Sequence, residues 1–506
     1  MWRILREMSS SFISALDLQT VLIGLVVLLL IYIIRQRWKN KKYKLPPGPP
    51  ALPLVLKAKF AFEIFNKLAK TYGPVMTIYY GPVRLVVLND INVVTEALVK
   101  KKADFAGRPY IASVQQFTDG GKDNIFANYS PTWKLHRQIA GKALRQYLVG
   151  NHLEEVIHAS LNKCLNKMST ENGSFDPEPY IGLIVYNILN AVCFGSSCDL
   201  DDPDFQRFMK LEQDSAKLKE NGVIENVFPF LIKMRPTQKY KTLMGMFDEI
   251  KSMITKKFKE HKETFDPDNI RDFTDSLILA RKEAEDEETV DILSQLTDSH
   301  LIQTITDIFR AGIDNSRKTL LFAVRYMAGL QDIQSKMQEE LDSVVGVKRL
   351  PALKDRENLG YGEATLHEVM RLGLAAPVGV PHSTLCDTQV AGYDIPKGTI
   401  VMINHWGLHR DPNYWKDPET FNPERFLDEN GKLSIKPESW LPFSAGRRIC
   451  LGEAVAKSEL HLIFSSIFQR FKVTLPEGIS PEMEVTGAGV IIQPAPYTII
   501  VEDRRK

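Results

Sequence analysis

The chain has 506 residues, of which 44% are hydrophobic and 25% charged, so it can bury a sizeable globular core. Its formal net charge of +2 comes from residues 1–44, and the nearly neutral remainder argues against the broad basic surface that a nucleic-acid partner requires. The five cysteines include no C-x-x-C pair, which argues against a disulfide framework and a zinc ribbon.

An uninterrupted apolar run occupies residues 21–34, and six Lys or Arg residues come next, between Arg35 and Lys44. Preceding apolar residues extend the run toward the ~20 that cross a bilayer, and the basic flank favours a cytosolic location for the rest of the chain. A cleaved signal peptide and a buried core helix are the alternatives, but no small-residue cleavage pattern lies after the run. We predict a single-pass anchor with its flank over 1–44, in the endoplasmic reticulum membrane.

The segment P-P-G-P-P predicts a stiff spacer at residues 45–50, ahead of one body at 51–506. β-Branched and aromatic clusters predict short strands. Apolar residues three and four positions apart predict long helices. The body is therefore expected to be mainly α with a minor antiparallel β part. The expected strand regions are 76–95, 388–402 and 485–501, and the expected helices are 131–170, 240–262, 298–330 and 453–471.

Two further segments concern the surface of the body. The charged run R-K-E-A-E-D-E-E at 281–288 predicts a solvated loop. The apolar run V-F-P-F-L-I at 227–232 fits either the core or a loop that dips into lipid.

One cysteine has surroundings that suit an anion. Cys450 precedes the predicted helix 453–471, whose N-terminal N–H groups and dipole favour a thiolate. Arg447 and Arg448 add positive charge nearby, and Gly446 and Gly452 allow a flat ligand to approach the backbone. A lone cysteine is usually a small buried hydrophobe, whereas this setting is what a thiolate metal ligand needs.

The segment F-S-A-G-R-R-I-C-L-G at 443–452 resembles the haem-binding loop F-x-x-G-x-R-x-C-x-G of the cytochrome P-450 family. The resemblance implies haem b (iron protoporphyrin IX) with an axial cysteine thiolate, which pushes electron density onto iron. It also implies that 51–506 is the catalytic domain, a triangular helical prism that encloses the haem and comes after an N-terminal transmembrane helix. The matching residues are Phe443, Gly446, Arg448, Cys450 and Gly452.

The pair Glu368 and Arg371 resembles the family's E-x-x-R, with both side chains on one helical face. Alone, the pair could be an ordinary surface interaction. With Arg425 of the downstream P-E-R-F, the resemblance implies a buried Glu-Arg-Arg network that braces the haem core.

The family resemblance also extends to the haem propionates. Trp133 and Arg137 match a W-x-x-x-R helix whose two ends hydrogen-bond a propionate. Arg108 and His382 lie in segments that contribute further propionate contacts in microsomal relatives. Together with Arg448, these residues would supply the charge-assisted donors that buried carboxylates need.

The stretch from Ala311 to Ser316 resembles the oxygen-binding pattern A/G-G-x-D/E-T-T. The match implies that Gly312 opens a groove for dioxygen and that Asp314 belongs to the proton supply. Asn315 replaces the first threonine, which normally holds a water and assists proton delivery. An amide can hydrogen-bond oxygen or water but is a poor proton donor.

The resemblance extends to the microsomal branch that contains steroid 17α-hydroxylase/17,20-lyases and aryl-hydrocarbon hydroxylases. It implies a lipophilic substrate that is steroid-like, aromatic or terpenoid. Arg310 either pairs with Asp307 or Asp314 or points into the pocket toward a polar substrate group. The expected apolar pocket residues are Phe126, Ala311, Ala376, Val380 and Val490.

The leading hypothesis is a monooxygenase that receives electrons from NADPH through cytochrome P-450 reductase, with cytochrome b5 as a further possible partner. Lys134 and Arg447 are candidates for the basic surface that meets the reductase. Asn315 motivates an alternative, a haem-thiolate dehydratase or isomerase that acts on an aldoxime or a peroxide. A third hypothesis is a membrane-held haem sensor of gas or ligand. Membrane lipid is an expected partner, and nucleic acid is not.

Overall fold

Helices dominate the chain, as the sequence predicts. A computed structural model describes residues 41–50, 60–80, 83–147, 152–220, 222–287, 296–434, 436–488 and 491–505, with single positions at 20, 23, 24, 27 and 31. The helices are α1 Ala61–Tyr72, α2 Ile91–Thr95, α3 Ala112–Phe117, α4 Pro131–Tyr147, α5 His152–Met168, α6 Glu178–Phe194, α7 Pro203–Lys219, α8 Ile224–Val227, α9 Phe230–Met234, α10 Gln238–Glu263, α11 Phe273–Glu287, α12 Asp298–Gly329, α13 Gln331–Val344, α14 Gly360–Leu372, α15 His405–Leu408 and α16 Glu453–Arg470.

The described strands lie in the three predicted regions, apart from two short additions at 382–383 and 471–474. They are β1 Val75–Tyr80, β2 Val83–Leu88, β3 His382–Ser383, β4 Thr388–Val390, β5 Tyr393–Ile395, β6 Ile400–Ile403, β7 Phe471–Thr474, β8 Val485–Ala488, β9 Ile491–Pro494 and β10 Ile500–Asp503. The first region is shorter than predicted, because Asp90 accepts hydrogen bonds from the N–H groups of Asn92 and Val93 and starts α2.

The β part is not purely antiparallel, so that element of the prediction is wrong. In the main sheet, ordered β1-β2-β6-β3, strand β2 runs parallel to β6. Some three hundred residues, mostly helical, separate these two strands, so the chain returns to the sheet by a crossover rather than a hairpin. The pairs β4–β5, β7–β10 and β8–β9 are antiparallel.

The predicted helical stretch 131–170 is confirmed as α4 and α5, with residues 148–151 outside the described chain. One other prediction requires correction. The charged run 281–288 is helical up to Glu287 rather than a loop. Its Lys, Glu and Ala residues favour helix, and Arg281 pairs with Glu285 one turn later at 3.3 Å.

The proline-rich segment 45–50 is attached to the body. The Thr77 N–H donates to the Pro47 carbonyl, and the Asp394 N–H donates to the Lys44 carbonyl, both at 2.8 Å. A Cβ at Gly48 would collide with the Thr77 carbonyl oxygen. This segment therefore runs along the edge strand β1 instead of spanning open solvent.

Two predictions concern contact with the membrane: the N-terminal anchor and the 227–232 segment. Most of the predicted anchor at 21–34 lies outside the described residues, and no helix within the described part is long and apolar enough to cross a bilayer. The 227–232 segment forms the end of α8 and the start of α9. Phe228 and Phe230, and Met234 just beyond the segment, are exposed, whereas Ile232 packs against a small buried cluster, so only part of the segment contributes to the core.

A buried ion network fixes α14 to the segment that precedes the Cys450 loop. Arg371 donates to both oxygens of Glu368, at 2.7 and 2.8 Å, and Arg425 donates to Glu368 Oε1 at 3.1 Å. Arg371 also donates to the carbonyls of His409 and Pro418 at 2.7 Å. Glu368 and Arg371 are fully buried, so each charge depends on these partners.

Removing one member of this network should be strongly destabilising. Arg371→Ala leaves the Glu368 carboxylate buried without its main partner, and we expect the free energy of unfolding in urea to fall by about 3–5 kcal/mol. Lys336→Ala, which breaks the exposed pair with Glu424, is the control and should change it by about 1 kcal/mol or less. Equal losses in the two variants would contradict the bracing role of the network.

Candidate functional site

A cavity of about 310 Å³ lies beside the middle of α12. The residues that α12 contributes to its wall recur three and four positions apart, so they share one helical face. This face is apolar around Ala311 and polar toward both ends. Its members are Thr304, Asp307, Ile308, Ala311, Gly312, Asn315, Ser316 and Thr319.

The facing wall is formed by the loop that carries Cys450 and by the first turns of α16. The Cys450 N–H donates to the Phe443 carbonyl at 3.0 Å, which closes the loop. The cysteine side chain has its accessible surface in this cavity, deep among protein atoms. Phe443 and Gly452 line the same wall.

Burial raises the pKa of the Cys450 thiol in the protein without a bound metal, because the anion loses hydration. The Gly452 N–H and Arg137 act in the opposite direction and favour the thiolate. The expectation that Arg447 and Arg448 supply this charge requires correction. Arg447 hydrogen-bonds the Tyr129 hydroxyl, and Arg448 turns toward backbone carbonyls.

Three glycines of the matched motifs have distinct surroundings. Gly446 has a φ of +75°, and a Cβ there would collide with the Leu98 carbonyl oxygen, so it serves the packing of the loop. Gly312 faces Leu189, whose Cδ1 would lie 2.9 Å from an added Cβ. Gly452 has no neighbour within 4 Å of an added Cβ, which leaves it as the glycine that keeps space free at the cavity wall.

One end of the cavity is lined by three arginines. Arg108 donates to the carbonyls of Ile125 and Pro381, both at 2.8 Å. Arg448 donates to Ala106 and Ala127 at 2.9 and 2.8 Å, and Arg137 donates to the Ile449 carbonyl. The described hydrogen bonds of the three guanidinium groups are therefore with neutral carbonyls, and none of them belongs to an ion pair.

Burial and repulsion between the arginines lower the pKa values of Arg108 and Arg448. Burial, with a smaller contribution from the charge of Arg137, lowers the pKa of Arg108 to about 9, although the charge of Asp123 acts in the opposite direction. Burial, followed by the charges of Arg108 and Arg137, lowers the pKa of Arg448 to about 8. The nearest acid, Asp123, is itself buried, and its pKa is raised by desolvation. The site therefore has an excess of positive charge that two ligand carboxylates would neutralise, so the donor set fits the propionates of haem.

His382 and Trp133 flank this arginine cluster. The His382 ring lines the cavity, and its Nδ1 lies 2.9 Å from the Phe105 carbonyl, an acceptor, so Nδ1 carries the hydrogen. Burial and the charge of Arg108 hold its pKa well below the ordinary value. Trp133 lies behind the cavity wall, where its ring stacks on Arg448 at 3.7 Å and its Nε1 donates to Asn124.

Of the acid and the amide in the oxygen-binding pattern, only the amide lines the cavity. Asn315 lines the cavity, and its Nδ2 donates to the Ala311 carbonyl at 3.0 Å. Asp314 points elsewhere and pairs with Lys318 at 2.7 Å and Arg317 at 3.3 Å. These cations lower the pKa of Asp314 to about 2 despite its burial, so it holds no proton at neutral pH.

Arg310 takes neither of its two predicted positions. Its guanidinium pairs with Glu212 of α7 at 2.5 Å and stacks between Phe117 and Phe247. This contact joins α12 to α7, away from the cavity lining.

The predicted pocket residues divide into three groups. Ala311, Ala376 and Val380 line the cavity. Phe126 is half-buried outside the described lining. Val490 lies outside the described residues.

Sequence patterns missed two polar groups on the cavity wall. Asn124 and Thr304 are hydrogen-bonded to each other at 2.8 Å, and Asp307 accepts the Asn124 N–H at 2.7 Å. The second group is Ser316, which donates to Glu459 across the space between α12 and α16. Glu459 lies on the same face of α16 as Ile463, four residues later. An acidic residue on an otherwise apolar helix face is the sequence signal that could have identified Glu459.

Comparison with known proteins gives concordant matches along the chain. The cytochrome P-450 family model matches residues 46–501. A steroid 17-alpha-hydroxylase/17,20 lyase of Squalus acanthias is 35% identical over 471 residues, covering 91% of this chain and 92% of the relative. Cytochrome P-450 2U1 of Homo sapiens is 33% identical over 484 residues, covering 94% and 86%. A zebra fish cytochrome P-450 structure with progesterone has a TM-score of 0.78 at 32% identity, covering 87% and 99%.

The chain belongs to the cytochrome P-450 family. It is a haem-thiolate monooxygenase, an oxidoreductase that uses dioxygen, and its haem is held through a cysteine thiolate. Membership also implies a redox partner and a lipophilic substrate. The mainly helical cytochrome P-450 fold with a small β part, and the monooxygenase hypothesis, are thereby confirmed.

The two glycines that flank Cys450 provide a test of the loop geometry. Gly446→Ala forces a side chain into a left-handed position against Leu98, and we expect it to lower the free energy of unfolding by more than about 1 kcal/mol. Gly452→Ala should leave the stability of the haem-free protein within about 1 kcal/mol of wild type, because its surroundings are open. Urea unfolding of both haem-free variants checks this, and the reverse order of stability would contradict it.

Proposed function

We propose that this monooxygenase hydroxylates a steroid or a similarly sized lipophilic molecule in the cavity between α12 and the Cys450 loop. The observation that carries the proposal is the meeting of a cysteine, an arginine cluster and an apolar helix face in one cavity. The names of the relatives support the substrate class, since one is a steroid hydroxylase and the zebra fish structure is described with progesterone.

Cys450 is the proposed axial ligand, and Arg108, Arg137 and Arg448 are the proposed partners of the propionates. Bound haem would supply dioxygen activation, which a thiolate ligand promotes by donating electron density. The three arginines would exchange neutral carbonyl acceptors for carboxylates, which are stronger partners in a buried site. The excess positive charge at this end of the cavity supports that assignment.

His382 would join these contacts in its protonated form. Because Nδ1 already donates to Phe105, Nε2 can donate to a carboxylate only when the ring is an imidazolium. A carboxylate beside the ring would raise its pKa and favour that form. Trp133, whose N–H is taken by Asn124, would act by holding Arg448 in place rather than by contacting a propionate.

The α12 face would form the side on which oxygen and substrate meet. Ala311, Ala376 and Val380 would exclude water from the substrate and hold it through apolar contacts. Asn315 would offer its side-chain oxygen to a water, because its Nδ2 is engaged by Ala311. Gly312 would keep the helix free of a side chain at this level. Asp314 would take part in proton supply only through a rearrangement of its ion pairs.

The membrane and partner assignments complete the proposal. Residues 1–44 would anchor the protein in the endoplasmic reticulum, with 51–506 as the cytosolic catalytic domain. The exposed Phe228, Phe230 and Met234 would add a second lipid contact. NADPH-cytochrome P-450 reductase, with cytochrome b5 as an additional donor, would approach the surface that contains the exposed Lys134. Arg447, which is turned toward Tyr129, is the weaker candidate for that surface.

The test is a screen of steroids and other lipophiles for a saturable shift of the haem Soret band, followed by turnover under labelled dioxygen. We expect steroids to produce the shift and to gain one labelled oxygen atom. Ala311→Phe should abolish binding by filling the cavity, whereas Ala103→Phe, at an exposed turn, should not. Steroids that neither shift the band nor turn over, beside another class that does, would overturn the substrate assignment.

A further inference from the structure

A buried carboxyl group on the cavity wall takes no part in the proposed haem and substrate contacts. Glu459 lies in the second turn of α16 and is 1% exposed. Its Oε1 accepts the hydrogen bond from Ser316, which neighbours Asn315 on α12. Its Oε2 is buried and has no hydrogen-bond partner among the described residues. An ionised carboxylate in this state would lack both hydration and a counterion, so the neutral acid is favoured.

The electrostatics agree with this geometry. Burial raises the pKa of Glu459 to about 8, and the Ser316 hydroxyl lowers it only in part. No charged side chain of the described chain contributes to this shift. Several charged groups on α16 and its neighbouring helices are paired with one another, namely Asp314 with Lys318, Glu363 with His461, Glu368 with Arg371, and Glu453 with Lys457. On α13, Glu340 accepts the N–H groups of Tyr361 and Gly362.

The groups that were expected to deliver protons are unsuited to proton delivery in this chain. Asp314 is ionised and held by two cations outside the cavity lining. Asn315 has no dissociable proton, and its Nδ2 is bonded to Ala311. Thr319 also lines the cavity, but its hydroxyl donates to the Asn315 carbonyl. Glu459, in contrast, lines the cavity and holds a proton at neutral pH.

We infer that Glu459 is a proton donor for the monooxygenase reaction, delivering its proton to the cavity through the Ser316 hydroxyl, or from Oε2 after a rotation of the carboxyl group that opens this atom to the cavity. In each turnover, substrate, dioxygen, two electrons from the redox partner and two protons give hydroxylated substrate and water. The carboxyl O–H bond of Glu459 breaks to supply one of these protons, and the carboxylate then regains a proton from bulk solvent, relayed by cavity water. The inference rests on the proposed placement of the haem in this cavity.

The first test measures product formed per NADPH consumed, as a function of pH, in Glu459→Gln. Glutamine keeps the size and neutrality of the protonated acid but cannot supply its proton. We expect product formation to fall about 100-fold, the usual contribution of a general acid. We also expect the wild-type decline above about pH 8 to disappear. Glu459→Asp should restore part of the activity with a shifted profile.

Ser316→Ala and Ser466→Ala form a matched pair of serine variants. Ser316 bonds Glu459, whereas Ser466, also buried, has a hydroxyl without a hydrogen-bond partner in the described chain. Ser316→Ala should lower product per NADPH about 10-fold or less and keep a pH dependence. Ser466→Ala should behave as wild type. An unchanged product yield and pH profile in Glu459→Gln would overturn the inference.

Two readouts do not depend on turnover. The infrared spectrum of the protein should contain a protonated-carboxyl band that disappears as pH rises through about 8, shifts in Ser316→Ala and is absent from Glu459→Gln. The folded-state pKa is raised, so the stability that this proton contributes is complete below about pH 4.5 and is lost toward about pH 8. Glu459→Gln should therefore gain thermal stability relative to wild type as pH rises across this window.

These readouts separate the two proposals. If haem fails to bind at Cys450 but the infrared band is present, the haem placement is wrong and the protonated Glu459 stands. If haem binds and the band does not respond to Ser316→Ala or Glu459→Gln, the proton-donor inference is wrong. Should Glu459→Gln fail to fold, the wild-type and Ser316→Ala spectra still decide the question.

Discussion

The excess of positive charge at one end of the cavity is the constraint on which the site depends. Arg108, Arg137 and Arg448 converge there from three separate parts of the chain. Burial lowers the pKa of all three, and the charge of Arg137 contributes to the lowering at Arg108 and Arg448. Arg108 and Arg448 are buried and Arg137 is half-buried, and cations that face only carbonyl oxygens in such positions are costly to maintain unless a ligand supplies negative charge. The fold therefore specifies an anionic ligand before any catalytic residue is considered, and the two propionates of haem meet that requirement.

The rest of the architecture positions two surfaces on either side of that ligand. The long helix α12 presents an apolar face with Asn315 and Ser316 at one end, and the loop before α16 presents Cys450 from the opposite side. The Glu368 network holds the segment that leads into this loop, and Gly446 packs it against the Leu98 carbonyl. The cysteine is thus placed by backbone packing and buried hydrogen bonds, while its charge state is left to the bound metal.

The sequence predicted the residues whose spacing is fixed by one local element. The loop around Cys450 and the Glu368 and Arg371 pair depend on such spacing, and the structure has Cys450 on the cavity wall and the two charged side chains paired. On α12, Ala311 and Asn315 line the cavity, but Asp314 turns toward Lys318. Sequence patterns could not predict the contacts in which a single side chain joins two distant segments of the chain. Arg310 meets Glu212 of another helix, Leu98 confines Gly446, and Glu459 meets Ser316, because tertiary packing rather than local periodicity selects those partners.

Ligation of haem by Cys450, with the propionates received by the arginine cluster, can be tested on the ferrous carbonyl complex. Its spectrum is recorded for wild type and for Cys450→His, with haem content determined in both. Both proteins should retain haem, because the arginine cluster is intact, and only wild type should show the thiolate-type spectrum. A thiolate-type spectrum that persists in Cys450→His would mean that another residue ligates the haem.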